Sequence, residues 1–158
     1  MQIKNNIEVF TDGSCHTQLC IGAWASVLLI NDQKVCLSGV LNNTTHNRME
    51  ILAVLKALEY IVKSNISFVK ITIVSDSQYV VGLLDRQSKF IKSNFKTNAL
   101  NDIRNVDLVK ELFNYTDKLN VEFIKIKAHQ KPTDIINYNI EVDKTCRNLV
   151  RKAVSEID

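Results

Sequence analysis

The chain has 158 residues, 46% of them hydrophobic and 23% charged, and a net charge of +3. This length suits a single domain covering residues 1–158, and the apolar share excludes an intrinsically disordered chain. No apolar run reaches the roughly 18–20 residues that a membrane helix needs, and the first six residues lack the apolar core of a signal peptide. We therefore expect a cytoplasmic protein that does not contact a membrane.

The pattern of apolar and turn-forming residues predicts five strands and several helices. Short links between the first three strands indicate an antiparallel meander, and strands separated by a helix are expected to pair in parallel. The sequence therefore predicts an α/β fold with a mixed sheet covered by helices. The strands are predicted at residues 7–11, 22–30, 34–40, 69–74 and 121–127, and the helices at 46–62, 75–84, 107–119 and 140–157, with a loop at 128–138.

The four cysteines, Cys15, Cys20, Cys36 and Cys146, match neither a zinc site nor a Cys-x-x-Cys redox motif in their spacing. In a reducing compartment we expect free thiols that are buried or half-buried. Only Cys15, beside a candidate catalytic loop, is expected to reach solvent.

Residues 86–104, called the basic segment below, concentrate positive charge. They carry five basic side chains against one acid, Asp102. Such a stretch with interleaved aromatic residues fits a contact with a polyanion, and a solvated helix face is the alternative. The basic residues are Arg86, Lys89, Lys92, Lys96 and Arg104, and the aromatic residues are Phe90 and Phe95.

Glu50 lies on the core-facing stripe of the first long helix, in register with Val54, Ala57 and Ile61. A carboxylate in that position costs several kcal/mol unless it is paired, hydrogen-bonded or bound to a metal. The alternative is an ordinary first-turn glutamate that the helix dipole favours.

Asp12 and Asp76 follow two strands that flank a helical crossover. These strands should run parallel, so their carboxyl ends point to the edge where open α/β sheets place ligands. An Asx-turn at Asp12 and a helix N-cap at Asp76 are the alternatives. In the last helix Asp143 lies at the rim of the apolar arc, whereas Glu141 falls on the polar side, so Asp143 is the preferred inward carboxylate.

Several carboxylates in one cleft repel each other and need a shared proton or a divalent cation. Oxygen ligands select hard ions, Mg²⁺ first and Mn²⁺ second. Two such ions roughly 3.5–4 Å apart form the arrangement that cleaves phosphodiesters. The pattern therefore indicates a metal-dependent nuclease.

Five short motifs, in order and at suitable spacings, resemble the signatures of the type 1 ribonuclease H family. The likeness covers nearly the whole chain, and the basic segment is similar to the family's basic handle. The motifs are Thr11-Asp12-Gly13-Ser14-Cys15, residues 44–50 (TTHNRME), residues 75–80 (SDSQYV), Lys127-Ala128-His129 and Asn139-x-x-x-Asp143.

The resemblance implies a ribonuclease H-like fold with a five-stranded sheet, in which three strands are antiparallel and two are parallel. It implies an endonuclease that hydrolyses the RNA strand of RNA–DNA hybrids with two Mg²⁺ ions and leaves 3′-hydroxyl and 5′-phosphate ends. We expect the chain to act as a monomer. By motif match the metal ligands are Asp12, Glu50, Asp76 and Asp143, and His129 is the mobile-loop histidine that assists proton transfer and product release.

The resemblance also implies substrate contacts with little sequence specificity, because contacts to the phosphate backbone position a duplex without reading it. The candidates for minor-groove contacts are His46, Asn47 and Gln78, those for a DNA-strand phosphate are Thr45 and Asn105, and those for phosphate attraction are Arg86, Lys89, Lys92 and Lys96. His46 departs from the family pattern, since many members have asparagine there.

Three other classes of protein fit the sequence less well. A non-catalytic hybrid-binding module would not need all four acids. A 3′–5′ exonuclease of related fold typically shows Asp-x-Glu in the first strand, where this chain has Ser14 in the third place. A sugar-kinase or actin-like ATPase needs two lobes, and 158 residues supply one.

Overall fold

A computed structural model describes residues 6–128 and 137–157. The strands are β1 (Asn6–His16), β2 (Ile21–Ile30), β3 (Gln33–Leu41), β4 (Lys70–Ser75) and β5 (Val121–Lys125). The helices are α1 (His46–Lys63), α2 (Gln78–Gly82), α3 (Gln87–Lys92), α4 (Val106–Lys118) and α5 (Tyr138–Ser155), with a 3₁₀ turn at Leu84–Arg86. The predicted loop at 128–138 falls mostly outside the described residues, and its last residue, Tyr138, already belongs to α5.

The five strands form one mixed sheet in the order β3-β2-β1-β4-β5. β2 pairs antiparallel with both β1 and β3, whereas β4 pairs parallel with β1 and with β5. The predicted mixed sheet is confirmed, including its antiparallel meander and its parallel half.

The two faces of the sheet bury different helices. Ile7 and Val9 of β1 pack in the core cluster that contains α1 and α4. Phe10 of the same strand packs with α5, together with Val142 and Cys146. Successive side chains of a strand point to opposite faces, so the sheet lies between α1 and α4 on one side and α5 on the other.

β1 is longer than predicted. The sequence indicates a turn after Thr11, but β1 continues to His16, and β2 pairs with it as far as Ile21 opposite His16. Gly13 lies inside this strand, and an added Cβ there would meet the backbone N of Glu50 at 2.5 Å. The glycine therefore serves the close approach of α1 to the strand rather than a turn.

The cysteines are free, as expected, but their exposure differs from the prediction. Cys146 is buried and Cys15 is half-buried, whereas Cys20 and Cys36 are exposed. Cys20 lies in the turn between β1 and β2, and Cys36 lies on the edge strand β3.

Candidate active site

The parallel pairing of β1 and β4 places two acids at one edge of the sheet. Thr11 is in register with Ser75, so Asp12 and Asp76 follow at the same level. Asp12 is 5% exposed, and its Oδ1 accepts a hydrogen bond of 2.9 Å from the backbone N–H of Gly13. Asp76 is not the helix cap, because the hydroxyl of Ser77 accepts the bond from the Val80 N–H at 3.2 Å.

Helix α1 supplies the third acid. Glu50 lies one turn inside the helix and is 2% exposed, which confirms that it faces the core. Its Oε1 lies 3.2 Å from Nε2 of His46, one turn earlier on the same helix face. Its Oε2 is buried and has no hydrogen-bond partner among the described residues. A buried carboxylate oxygen without a donor is costly, so either a proton shared with Asp12 or a cation is needed beside it.

The three acids form one cluster. One carboxylate oxygen each from Asp12, Glu50 and Asp76 lie within 4.8 Å of one another. Burial, followed by the charges of Glu50 and Asp76, raises the pKa of Asp12 to about 9. Burial also raises the pKa of Glu50, against the opposing effect of His46. Without a cation, the cluster therefore holds protons that carboxyl groups in water would have lost at neutral pH.

A divalent cation fits this donor set. All the ligand atoms are oxygens, as Mg²⁺ and Mn²⁺ prefer, and the orphaned Oε2 of Glu50 provides a free lone pair. The cluster opens into a cleft of about 210 Å³ that Ser77, Ala128 and Asp143 also line.

Asp143 lies at this cleft, but it is not a member of the three-acid cluster within the described chain. It is half-buried, and its Oδ1 accepts a hydrogen bond of 3.1 Å from Nε of Arg147, four residues later in α5. Glu141 instead pairs with Lys34 at 2.6 Å. The structure thus places Asp143, rather than Glu141, beside the cluster.

Helix α5 also contacts the backbone of the strand that carries Asp12. The buried thiol of Cys146 donates to the backbone carbonyl of Asp12 at 3.3 Å. Burial raises the pKa of this thiol, so it stays protonated and keeps its role as a donor. His129, the predicted mobile-loop histidine, lies outside the described residues.

The residues expected to seat a DNA-strand phosphate lie where α1, α2 and α4 meet. The hydroxyl of Thr45 caps α1 by accepting from the Arg48 N–H at 3.2 Å. Asn105 donates to the Tyr79 hydroxyl at 3.0 Å and stands before α4 with a φ of 58°. Arg48 forms two bonds to Asp107, of 3.0 and 2.8 Å, and this contact holds the pKa of Asp107 below its usual range.

A second cleft, of about 350 Å³, lies between α1 and the basic segment. Two of the expected substrate contacts, Asn47 and Arg86, line it together with Arg104. Gln78 is the first residue of α2. Lys89 and Lys92 are exposed, whereas Lys96 is paired with Asp102.

The aromatic residues of the basic segment are not free for stacking on bases. Phe90 is 5% exposed, and its ring centroid lies 6.4 Å from that of Phe95 and 6.5 Å from that of Phe113. Arg86 lies over the Phe90 ring at 4.7 Å. The interleaved aromatic residues therefore pack the segment against the core, while Lys89 and Lys92 face solvent.

Several side chains around the site were not singled out from the sequence. The spacing of Arg147 from Asp143 is a signal that could have found it, because residues four apart share a helix face. The pairing of Arg48 with Asp107 and the bond from Cys146 to Asp12 had no such signal, since their partners lie far apart along the chain.

Known proteins are similar to this chain in architecture and in sequence. The family model for RNase H matches residues 4–151. A ribonuclease H of Caldicellulosiruptor saccharolyticus is 31% identical over 153 residues, covering 96% of this chain and 97% of the relative. One from Francisella philomiragia is 35% identical over 127 residues, covering 80% and 81%. A crystal structure of LC9-RNase H1, a type 1 RNase H with the type 2 active-site motif, shares the fold with a TM-score of 0.79 at 17% identity, covering 96% of this chain and 75% of that one.

The chain therefore belongs to the ribonuclease H family. It is a ribonuclease H, an endonuclease of the hydrolase class whose family acts on the RNA strand of RNA–DNA hybrids. No helix in the described ranges is long and apolar enough to cross a membrane.

Proposed function

We propose that this chain hydrolyses the RNA strand of RNA–DNA hybrids with two divalent cations, Mg²⁺ first and Mn²⁺ second, and leaves 3′-hydroxyl and 5′-phosphate ends. The observation that carries this proposal is the cluster of Asp12, Glu50 and Asp76, whose oxygens lie within 4.8 Å of one another around an unpartnered, buried Glu50 Oε2. A solvated acidic face would not bury two of its three carboxylates.

In this proposal the acids hold the metal ions. Asp12, Glu50 and Asp76 supply oxygens from three separate elements, and Asp143 supplies the fourth carboxylate from the rim of the cleft. Bound cations would prepare the attacking water and stabilise the leaving oxygen. His129 would assist proton transfer and product release, a role that suits an ordinary histidine pKa of about 6.5.

The hybrid would lie across the cleft and the basic segment. Thr45 and Asn105 would seat a phosphate of the DNA strand, and Asn47 and Gln78 would contact the minor groove, where the 2′-hydroxyls distinguish RNA from DNA. Exposed Arg86, Lys89 and Lys92 would attract phosphates without reading sequence. Lys96 would act in the same way, although it first has to leave Asp102.

We also propose that the chain forms a single domain over residues 1–158 and works as a cytoplasmic monomer without membrane contact. The five strands share one sheet, and each of the three core clusters of the described residues contains residues of β2. This continuity of the core supports one cooperative unit.

The deciding experiment uses an RNA–DNA hybrid labelled at one end of the RNA strand, incubated with Mg²⁺, with Mn²⁺ or with EDTA. We expect internal cuts in the RNA strand of the hybrid alone, with products that carry 3′-hydroxyl and 5′-phosphate ends. Single-stranded RNA, duplex RNA and duplex DNA are the controls. Equal cleavage in EDTA, or cuts that begin only at an end, would overturn the proposal.

A further inference from the structure

His46, for which the sequence predicts a substrate contact, lies in the structure beside a proposed metal ligand. Its Nε2 lies 3.2 Å from Oε1 of Glu50, four residues along the same helix. The two side chains differ sharply in exposure, with 59% for His46 and 2% for Glu50. An exposed ring thus reaches inward to a buried carboxylate that belongs to the acidic cluster.

The contact with His46 gives the two carboxylate oxygens of Glu50 different surroundings. Oε1 is occupied by the imidazole, while Oε2 is buried without a partner among the described residues. With Oε1 tied to α1, rotation of the carboxylate about its last bond is restricted. Oε2 is then left for the cleft that Asp12 and Asp76 share with Glu50.

The first turn of α1 is held in place by other contacts, so the position of His46 is fixed as well. Thr45 caps the helix through the Arg48 N–H at 3.2 Å, and Arg48 is tied to Asp107 of α4. Residues four apart face the same side of a helix, so the backbone geometry of α1 presents the imidazole to Glu50.

We propose that His46 is a positioning residue that orients the Glu50 carboxylate for cation binding, rather than a contact to the minor groove. The inference rests on the proposed function, because it assigns Glu50 to a metal ion. A side chain that orients a metal ligand typically contributes about 10–100-fold in metal affinity or activity. His46 should therefore influence the cation more than the hybrid.

The test compares wild type with His46→Ala and His46→Gln, and with His16→Ala as a matched loss of another histidine away from α1. Calorimetric titration with Mg²⁺ or Mn²⁺ alone, without hybrid, measures the cation affinity of each protein. We expect His46→Ala to weaken it by about 10-fold or more. His46→Gln should restore most of the affinity because its amide has a similar reach, and His16→Ala should bind as wild type does.

Steady-state cleavage of a hybrid supplies the second readout. At a fixed cation concentration below saturation, His46→Ala should lower kcat with little change in KM, and added cation should recover part of the rate. A raised KM with unchanged cation affinity would overturn the proposal in favour of a substrate contact. Unchanged values for both would also overturn it. If wild type binds the cation but does not cut the hybrid, the proposed function fails while the positioning role is still judged by the titration.

Discussion

The acidic cluster and the basic segment are built in opposite ways. In the cluster the charged groups are inside, with Asp12 5% and Glu50 2% exposed, and they are set by two strands and a helix that pack against each other. In the basic segment the charges of Lys89 and Lys92 are outside, and an inner face of phenylalanines joins it to the core.

The difference fits the role that we propose for each region. Catalysis requires groups held in one geometry in a site of low dielectric, where their charges act strongly. Attraction of a nucleic acid requires only positive charge near the surface, which acts over a Debye length of about 10 Å and needs no fixed position. A single substitution in the cluster should therefore lower the cleavage rate sharply, whereas each substitution of an exposed lysine in the basic segment should lower hybrid affinity only gradually.

The largest effect should come from the cluster itself. Asp12→Asn removes a proposed metal ligand, and a loss of several kcal/mol of transition-state stabilisation lowers the rate by about 10³-fold or more. Hybrid binding should be largely retained. Cleavage assays with Mg²⁺ check this, with Asp32→Asn in the exposed β2–β3 turn as the control acid. Undiminished cleavage by Asp12→Asn would reject the site assignment.

The next effect concerns stability in the basic segment. Phe90→Ala empties a buried site between Phe95 and Phe113 and should cost about 3–5 kcal/mol of unfolding free energy. Urea denaturation measures it. Ile91→Ala, at the neighbouring position with 58% exposure, should cost less than about 1 kcal/mol. Equal losses for the two variants would show that the segment is not anchored in the core.

The third effect is a pH dependence of the stability of the cation-free protein. Because the pKa of Asp12 rises from 3.8 to about 9 on folding, the folded chain binds this proton more tightly than the unfolded chain. The contribution of this proton to the free energy of unfolding is therefore fully present below about pH 4. It is lost as the pH rises towards 9, by up to about 1.4 kcal/mol per pH unit.

Denaturation in EDTA at several pH values between 5 and 9 tests this, and Asp12→Asn is the matched variant. It should flatten the curve and be more stable than wild type at pH 8, so that a loss of activity accompanies a gain in stability. A wild-type protein whose stability rises over the same range would contradict the proposed origin of the raised pKa.

The smallest effect should come from the exposed lysines. Replacing Lys89 and Lys92 by alanine removes two phosphate contacts and should reduce the slope of log affinity against log salt by about 2. Binding of a hybrid is measured at several salt concentrations, with Lys152→Ala on α5 as the control. An unchanged slope would place the hybrid elsewhere on the protein.

Much of the fold follows from local patterns in the sequence. Runs of apolar and β-branched residues bounded by turn signals predicted all five strands, and helical periodicity placed Glu50 on the buried side of α1. The short links and the intervening helices predicted which strands pair in parallel, which in turn brought Asp12 and Asp76 to one edge. These features depend on neighbours along the chain, so the sequence carries them directly.

Other features depend on contacts between distant segments, and only the tertiary structure decided them. Gly13 reads locally as a turn, yet it lets α1 approach β1 within a strand that continues to His16. The sequence predicted that Phe90 and Phe95 belong to a surface that contacts a polyanion, but in the structure both rings pack against Phe113. Local spacing reveals the face on which a side chain lies, but whether that face meets water, a ligand or another helix is settled by packing across the whole chain.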